Sequence, residues 1–379
     1  MSSKVYFIDF RATFQENLME KLKRLATSAG LAETINKNDL TAVKLHFGES
    51  GNAAHIRPVY VAKIIEALKE MGANPFLTDT NTLYAGSRST TPDHLKTAVK
   101  NGFAYSVVDA PVVIADGLRG KNDVVVETGY KNFKEVYIAS DIFHADSMIS
   151  LAHFKGHELS GFGGTLKNLA MGCASRRGKL AMHSTVSPKV KQKKCISCKE
   201  CIKHCPADAI GYNDNKKAQI DSDKCIGCGE CIVVCPTAAV QIQWNQKVPV
   251  FLEKMIEYAA GAVQNKNGKV LYINFINNIS PLCDCIGHND HPIVRDIGIV
   301  ASTDPVAIDQ VSYDLVNKET ASSHSCLKVN TAAGEDKFKG LYPYGSWEDQ
   351  LDYAETLGLG TRQYDLEILK TIGLKEETK

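Results

Sequence analysis

Eight cysteines are written as two copies of one line. Residues 195–207 read CISCKECIKHCPA and residues 225–237 read CIGCGECIVVCPT, so the second copy starts thirty residues after the first. Each copy is Cys-x-x-Cys-x-x-Cys-x-x-x-Cys-Pro, the bacterial spacing for two [4Fe–4S] clusters. A cubane needs four thiolates converging on one small inorganic core. Three cysteines at i, i+3 and i+6 wrap one cluster as a tight loop, and the fourth, ahead of proline, ligates the other. Cys195, Cys198, Cys201 and Cys235 are therefore assigned to one cluster, and Cys225, Cys228, Cys231 and Cys205 to the other. Pro206 and Pro236 end each loop by removing a backbone donor and fixing φ. Ile196, Ile202, Ile226, Ile232, Val233 and Val234 supply an apolar shell that restricts water. A disulfide framework suits a short secreted domain, and zinc sites more often set Cys-x-x-Cys pairs across a longer spacer. Neither pattern is this one.

Three further stretches carry chemistry. Residues 153–183 read HFKGHELSGFGGTLKNLAMGCASRRGKLAMH. Gly161, Gly163 and Gly164 precede a helix expected to begin near Thr165, where backbone amides and a helix N-terminus favour an anion. Lys167, Asn168, Arg176 and Arg177 add polar and charged groups for a phosphate or carboxylate. The competing reading is a glycine turn with solvated basic residues. In VKLHFGESGNAAHIRP (43–58), Lys44 and His46 alternate at the C-terminal end of a strand, and His55 and Arg57 follow in the loop. Ligands of open α/β sheets bind outside the carboxyl ends of strands. These four residues are expected to line a pocket, with Asp79, Asn81 and Arg88 on its rim; ordinary strand-end capping is the alternative. His46, His157 and His183 are the candidates for moving protons near neutral pH. In PLCDCIGHNDHP (281–292), Cys283 and Cys285 lie two residues apart, and with Cys173 they would make a further metal centre. The alternative is buried, inert thiols.

These groups need a large scaffold. The chain has 379 residues, with 44% hydrophobic and 23% charged, enough for a sizeable core and against extended disorder. Net charge is +1, so there is no bulk pull towards nucleic acid or membrane. The start, MSSKVYFIDF, has no apolar signal core, and no stretch approaches the roughly 20 apolar residues that span a bilayer. Twelve cysteines without a secretion signal point to the reducing cytoplasm. Strand signals at 5–9, 41–47, 74–80, 111–117, 123–128, 147–153, 269–275 and 296–302 alternate with helix signals at 14–29, 57–72, 92–101, 250–264 and 304–318. That alternation predicts an α/β fold with a mainly parallel sheet and flanking helices. Residues 1–187 form its first part and 244–379 its second. A small two-cluster ferredoxin domain of α+β type interrupts it at 188–243, entered through a lysine-rich run and left through QIQWNQKVP.

The phrases VKLHFGE (43–49), TDTNTLY (78–84), IADGL (114–118), FKGHELSGFGGTLKNLAMGCASRRGK (154–179), the Cys-Asp-Cys at 283–285 and DIGIVASTDPVAIDQ (296–310) run over nearly the whole chain. Together they resemble the family called domain of unknown function 362, in its form carrying a ferredoxin insert, an iron–sulfur centre protein. The resemblance implies an α/β domain with two [4Fe–4S] clusters and assigns no reaction. The residues themselves point to an iron–sulfur oxidoreductase that passes electrons to or from a small anionic substrate, with an electron donor or acceptor protein as partner. The competing functions are an electron carrier or binding module serving a redox partner, and a non-redox enzyme with structural clusters.

Overall fold

The structure is a computed structural model and describes residues 2–184, 187–243 and 247–374. The middle of the QIQWNQKVP run, residues 244–246, lies outside the described residues.

Eight strands form one sheet in the spatial order Tyr364–Ile368, Ser3–Asp9, Gly298–Ser302, Val270–Ile276, Ser147–His153, Leu40–Lys44, Asn74–Asp79, Val112–Ile114. Gly298–Ser302 runs antiparallel to both neighbours, and every other pair is parallel. The central strands are covered on both faces, as a parallel sheet requires. Ser147–His153 and Val270–Ile276 are accordingly buried at every position. One apolar cluster packs helices Leu18–Ser28 and Pro58–Glu70 on one face. Another packs Thr165–Cys173, Val248–Val263 and Pro305–Asn317 on the other. Val270–Ile276 lies after the cysteine-rich segment in sequence yet pairs with Ser147–His153 before it, register Tyr272 to Ser150. The two parts of the chain therefore build one α/β layer structure.

The strand expected at 123–128 is present as Asp123–Glu127, but outside the main sheet: it pairs with Glu135–Ala139 as a separate hairpin. The edge strand Tyr364–Ile368 completes the sheet beyond the expected set. Its period-two alternation of Tyr364, Leu366 and Ile368 with Asp365 and Glu367 is a readable signal for a half-exposed strand.

Residues 187–243 form a small unit of short elements: one-turn helices Glu200–Lys203 and Glu230–Val233, thirty residues apart, and the strand pairs Lys189–Val190 with Val240–Gln241 and Ile210–Tyr212 with Ala218–Ile220. The sequence repeat is thus a structural repeat.

Candidate functional site

The cysteine-rich unit holds two partly open hollows. Cys195, Cys198, Cys201 and Cys235 line the first. Cys205, Cys225, Cys228 and Cys231 line the second. The fourth cysteine of each copy lines the other copy's hollow. Among the described residues, no three His, Cys, Asp or Glu side chains stand close enough to share a single metal ion. The same holds of the two quartets: each is spread round its hollow, and no three of their sulfurs make such a group. The Cys205 sulfur accepts from the Ala209 amide at 3.3 Å and the Cys235 sulfur from the Ala239 amide at 3.1 Å, the same bond in both copies. At Cys235, burial raises the thiol, but the amides of Val240 and Ala239 bring it below its usual range.

One hollow is docked on the α/β body and the other is not. Arg176, fully buried, reaches from the body into the second copy and pairs with the equally buried Glu230 at 3.0 Å. Its guanidinium also donates to the carbonyls of Thr82 (3.3 Å), Arg119 and Ser89. Glu230 accepts in addition from Arg119 at 2.9 Å. Leu83 and Leu180 of the body join the apolar cluster of the cysteine unit. The quartet containing Cys225, Cys228 and Cys231 is therefore proximal. The distal quartet carries the exposed Cys198, beside Ile196 at 60% and Tyr212 at 41% exposure.

A basic centre forms where the carboxyl ends of the parallel strands converge. Lys44, last residue of its strand, pairs with Asp79, last residue of the next, at 3.0 Å, and donates to Asn168 Oδ1 at 2.8 Å. Arg88 bridges Glu49 (3.2 Å) and Asp79 (3.5 Å). Lys155 faces Asp284 at 3.7 Å, and His153 holds the same carboxylate at 3.0 Å. Lys167 donates to the Cys283 sulfur at 3.0 Å, and the Cys283 and Cys285 sulfurs stand 2.8 Å apart. His46 sits half-buried among these groups. Burial, then the charges of Arg88, Lys155, Lys44 and Lys167, hold its pKa well below the usual imidazole range. Burial lowers His157 likewise, with Lys167 and Lys155 adding to it. Its Nδ1 is bonded to the Ser160 hydroxyl at 2.9 Å. The Cys285 hydrogen bond holds Cys283 well below the thiol range, against burial and with help from Lys167 and Lys155. Cys285 is raised as the protonated partner of that bond.

The structure thus gathers Lys44, His46, His157, Lys167 and Asn168 around Cys283 and Cys285. Other candidates stand apart. Arg176 clamps the cysteine unit, as above. Arg177, next in the same helix, pairs with Asp123 at 2.9 Å and lies over the Tyr137 ring. His55 is bonded to the carbonyls of Asn52 (3.0 Å) and Asn101 (3.4 Å) and packs on Phe103, while Arg57 is exposed. His183 stacks on Phe251 with ring centres 4.9 Å apart. The expected anion site at the start of Thr165–Cys173 is filled from within: the Asp309 carboxylate takes the amides of Thr165 (2.8 Å) and Leu166 (2.9 Å). Cys173, buried in that helix, faces the Asn168 carbonyl at 3.9 Å and makes no three-ligand group with Cys283 and Cys285. Tyr84, Glu230 and His94 enter the site without a spacing signal to announce them. His94 is fully buried 3.7 Å from Asp79.

Among the described residues, no helix is long and apolar enough to cross a membrane. No curated protein matches the chain. Two solved structures are remotely similar. The lactate racemase apoprotein from Thermoanaerobacterium thermosaccharolyticum is 16% identical with TM-score 0.36, over 72% of this chain and 50% of that one. A Thermotoga maritima protein solved as a structural-genomics target is 9% identical with TM-score 0.38, over 90% and 59%. The chain spans about half to three-fifths of their lengths, and at those scores neither likeness bears on activity. The family described as domain of unknown function (DUF362) matches residues 41–314, well over half of the sequence, and the chain belongs to that family.

Proposed function

We propose that this chain binds two [4Fe–4S] clusters on its cysteine quartets and acts as an oxidoreductase on a small anion at the basic centre. The observation that carries the reading is the pair of hollows, each lined by one crossed quartet. Two bound clusters would each supply or accept one electron. Everything else rests on side chains. Leu83 packs with the cysteine unit, and the next residue, Tyr84, donates to the Cys285 carbonyl at 2.9 Å. One short segment thus touches both the proximal quartet's surroundings and the basic centre. The four cations that press on His46 face three carboxylates, Asp79, Glu49 and Asp284, and the sulfur of Cys283, a setting in which an entering anion would meet cationic partners. His46, neutral and partly exposed, accepts the Gly48 amide on Nδ1 at 2.9 Å, which leaves Nε2–H to donate a hydrogen bond to a substrate.

The partner is a redox protein with an acidic face. Lys193, Lys194, Lys199, Lys203 and Lys216 are exposed in the copy that carries the distal quartet, where Ile196 and Tyr212 offer apolar contact. On this reading the protein works in a reducing cytoplasm, where thiols as exposed as Cys198 stay free for ligation.

The test is anaerobic purification with iron and acid-labile sulfide counted per chain. About eight irons are expected from two four-iron cubanes; an iron content near zero, with zinc in its place, overturns the reading. A protein with full iron that exchanges electrons with a carrier protein, yet turns over no carboxylate or phosphate compound when photoreduced, is an electron carrier instead.

A further inference from the structure

Cys283 and Cys285 are the two nucleophilic groups at the basic centre that cluster binding leaves unused. They lie on the loop after Val270–Ile276, where a turn closed by the Ile286 amide on the Cys283 carbonyl at 3.0 Å folds the two side chains to one side. Their sulfurs are 2.8 Å apart. A disulfide requires about 2.05 Å, so closure needs a movement of under about 1 Å. The residue between them is held out of the way: Asp284 is turned to His153 at 3.0 Å and Lys155 at 3.7 Å. Among the described residues, no group of three His, Cys, Asp or Glu that could hold a metal ion includes the two sulfurs. The loop is also pinned. Gly156 passes so close beneath it that a Cβ there would stand 2.3 Å from the Pro281 carbonyl oxygen. Its other side is held by Tyr84 on the Cys285 carbonyl.

We infer that Cys283 and Cys285 form a redox-active dithiol, which exchanges a pair of electrons with the two cysteine-quartet clusters, one electron each. In the oxidising direction, the Cys283 thiolate and the Cys285 thiol form one S–S bond. One proton leaves to water, and two electrons leave in single steps. In reverse, two electrons and one proton break the bond and restore thiolate and thiol. A dithiol converts two one-electron donors into one two-electron reductant, which is what a small closed-shell anion needs. Lys167, 3.0 Å from the Cys283 sulfur, stabilises the thiolate and so favours the reduced pair.

The electron source in this inference rests on the cluster reading; the chemistry of the thiol pair does not, so two arms separate the failures. In the first, the full chain is equilibrated anaerobically in dithiothreitol buffers of rising oxidised fraction, quenched in acid, alkylated and peptide-mapped by mass spectrometry. Cys283 and Cys285 should lose both alkylations together and appear as one peptide lighter by two hydrogens. Two alkylated cysteines at every poise overturn the inference. Lys167→Met should move the equilibrium about tenfold towards disulfide, and Lys167→Arg should restore it. A merely structural Lys167 would show neither the shift nor the rescue. In the second arm, the preoxidised iron-loaded protein is photoreduced, and free thiols at 283 and 285 are counted. Recovery of both thiols with iron, and not in the iron-free chain, supports the cluster link. Reduced clusters beside an intact disulfide overturn it, even where the first arm succeeds.

Discussion

Replacing Arg176 by Met should loosen the cysteine-rich unit from the α/β body without removing a metal ligand. Met keeps most of the aliphatic stem that passes Gly229, where an added Cβ would stand 3.2 Å from Arg176 Cγ. What is lost is the charge and four acceptors: Glu230 and the carbonyls of Thr82, Arg119 and Ser89. An orphaned buried charge costs about 3–5 kcal/mol. Glu230 is not wholly orphaned, because Arg119 at 2.9 Å and Lys121 at 3.6 Å remain, both from side chains nearly half exposed. The lower end, about 3 kcal/mol, is therefore expected, and that is roughly a hundredfold in the opening equilibrium. Hydrogen exchange read by mass spectrometry should show it as a rise of about that size at residues 82–90 and 228–234 alone. Arg176→Met/Glu230→Leu should recover much of the loss, since an apolar pair of similar volume leaves no buried charge. Exchange in Arg176→Met within about threefold of the parent would refute the view that this pair docks the unit.

Four further outcomes follow from named contacts. His94, lowered to about 3 by burial against the attraction of Asp79, stays neutral in the fold, whereas the unfolded imidazole titrates near about 6.5. Its contribution is present above pH 6.5 and lost as the pH falls towards 3, by about 2 kcal/mol between pH 7 and 5, so His94→Phe should flatten the urea midpoint over that window. Asp309, pushed up to about 6 by burial, has the opposite slope, which is why the difference between variant and parent is the quantity to read. Cys198→Ser, at an exposed position, should lower iron from about eight to about four per chain while the far-ultraviolet dichroism stays unchanged. Gly156→Ala drives a Cβ against backbone and should cost about 1–3 kcal/mol in urea unfolding while speeding alkylation of Cys283. Electron exchange with an acidic carrier should slow as ionic strength rises, measured by stopped flow, because the exposed lysines near the distal quartet act through screened charge.

The repeat was legible because its geometry is local: positions i, i+3 and i+6 bring three cysteines to one hollow, and the proline-bounded fourth lines that of its partner copy. The central strands were legible for a similar reason, since buried parallel strands read as apolar runs such as SMISLAH. What sequence spacing hides is address. DVVVE has a strand's composition wherever it pairs, and here it forms a hairpin off the sheet. Arg176 and Arg177 are neighbours in sequence, but adjacent helical positions face different ways, so one docks the cysteine unit and the other holds the hairpin. The helix start at Thr165 has the glycines of an anion site, yet its anion is Asp309, a side chain 144 residues away. No local pattern announces a cap supplied from such a distance.

The difference between the two cysteine copies now carries meaning. The first reads CISCKE and the second CIGCGE. Both pairs of intervening residues are left-handed: Ser197 and Lys199 at φ 61 and 69°, Gly227 and Gly229 at 69 and 71°. The backbone is therefore the same, and the first copy carries a strain of about 1 kcal/mol or more at each non-glycine residue. The second copy has glycine for a reason beyond φ. A Cβ on Gly229 would stand 3.0 Å from Leu83 and 3.2 Å from Arg176, so a side chain there would require both neighbours from the body to give by a few tenths of an ångström. Lys199 in the first copy is exposed and meets no such limit. The glycine copy is thus the docked copy, and the lysine copy faces solvent with its charges turned to a partner. In the proposed function this fixes a direction through the molecule. The surface-facing quartet meets the carrier, the glycine-bearing quartet meets Leu83, and Tyr84 beside it meets the Cys283–Cys285 loop. Gly229→Lys should cut that path at its second step while leaving the distal quartet able to exchange with the carrier.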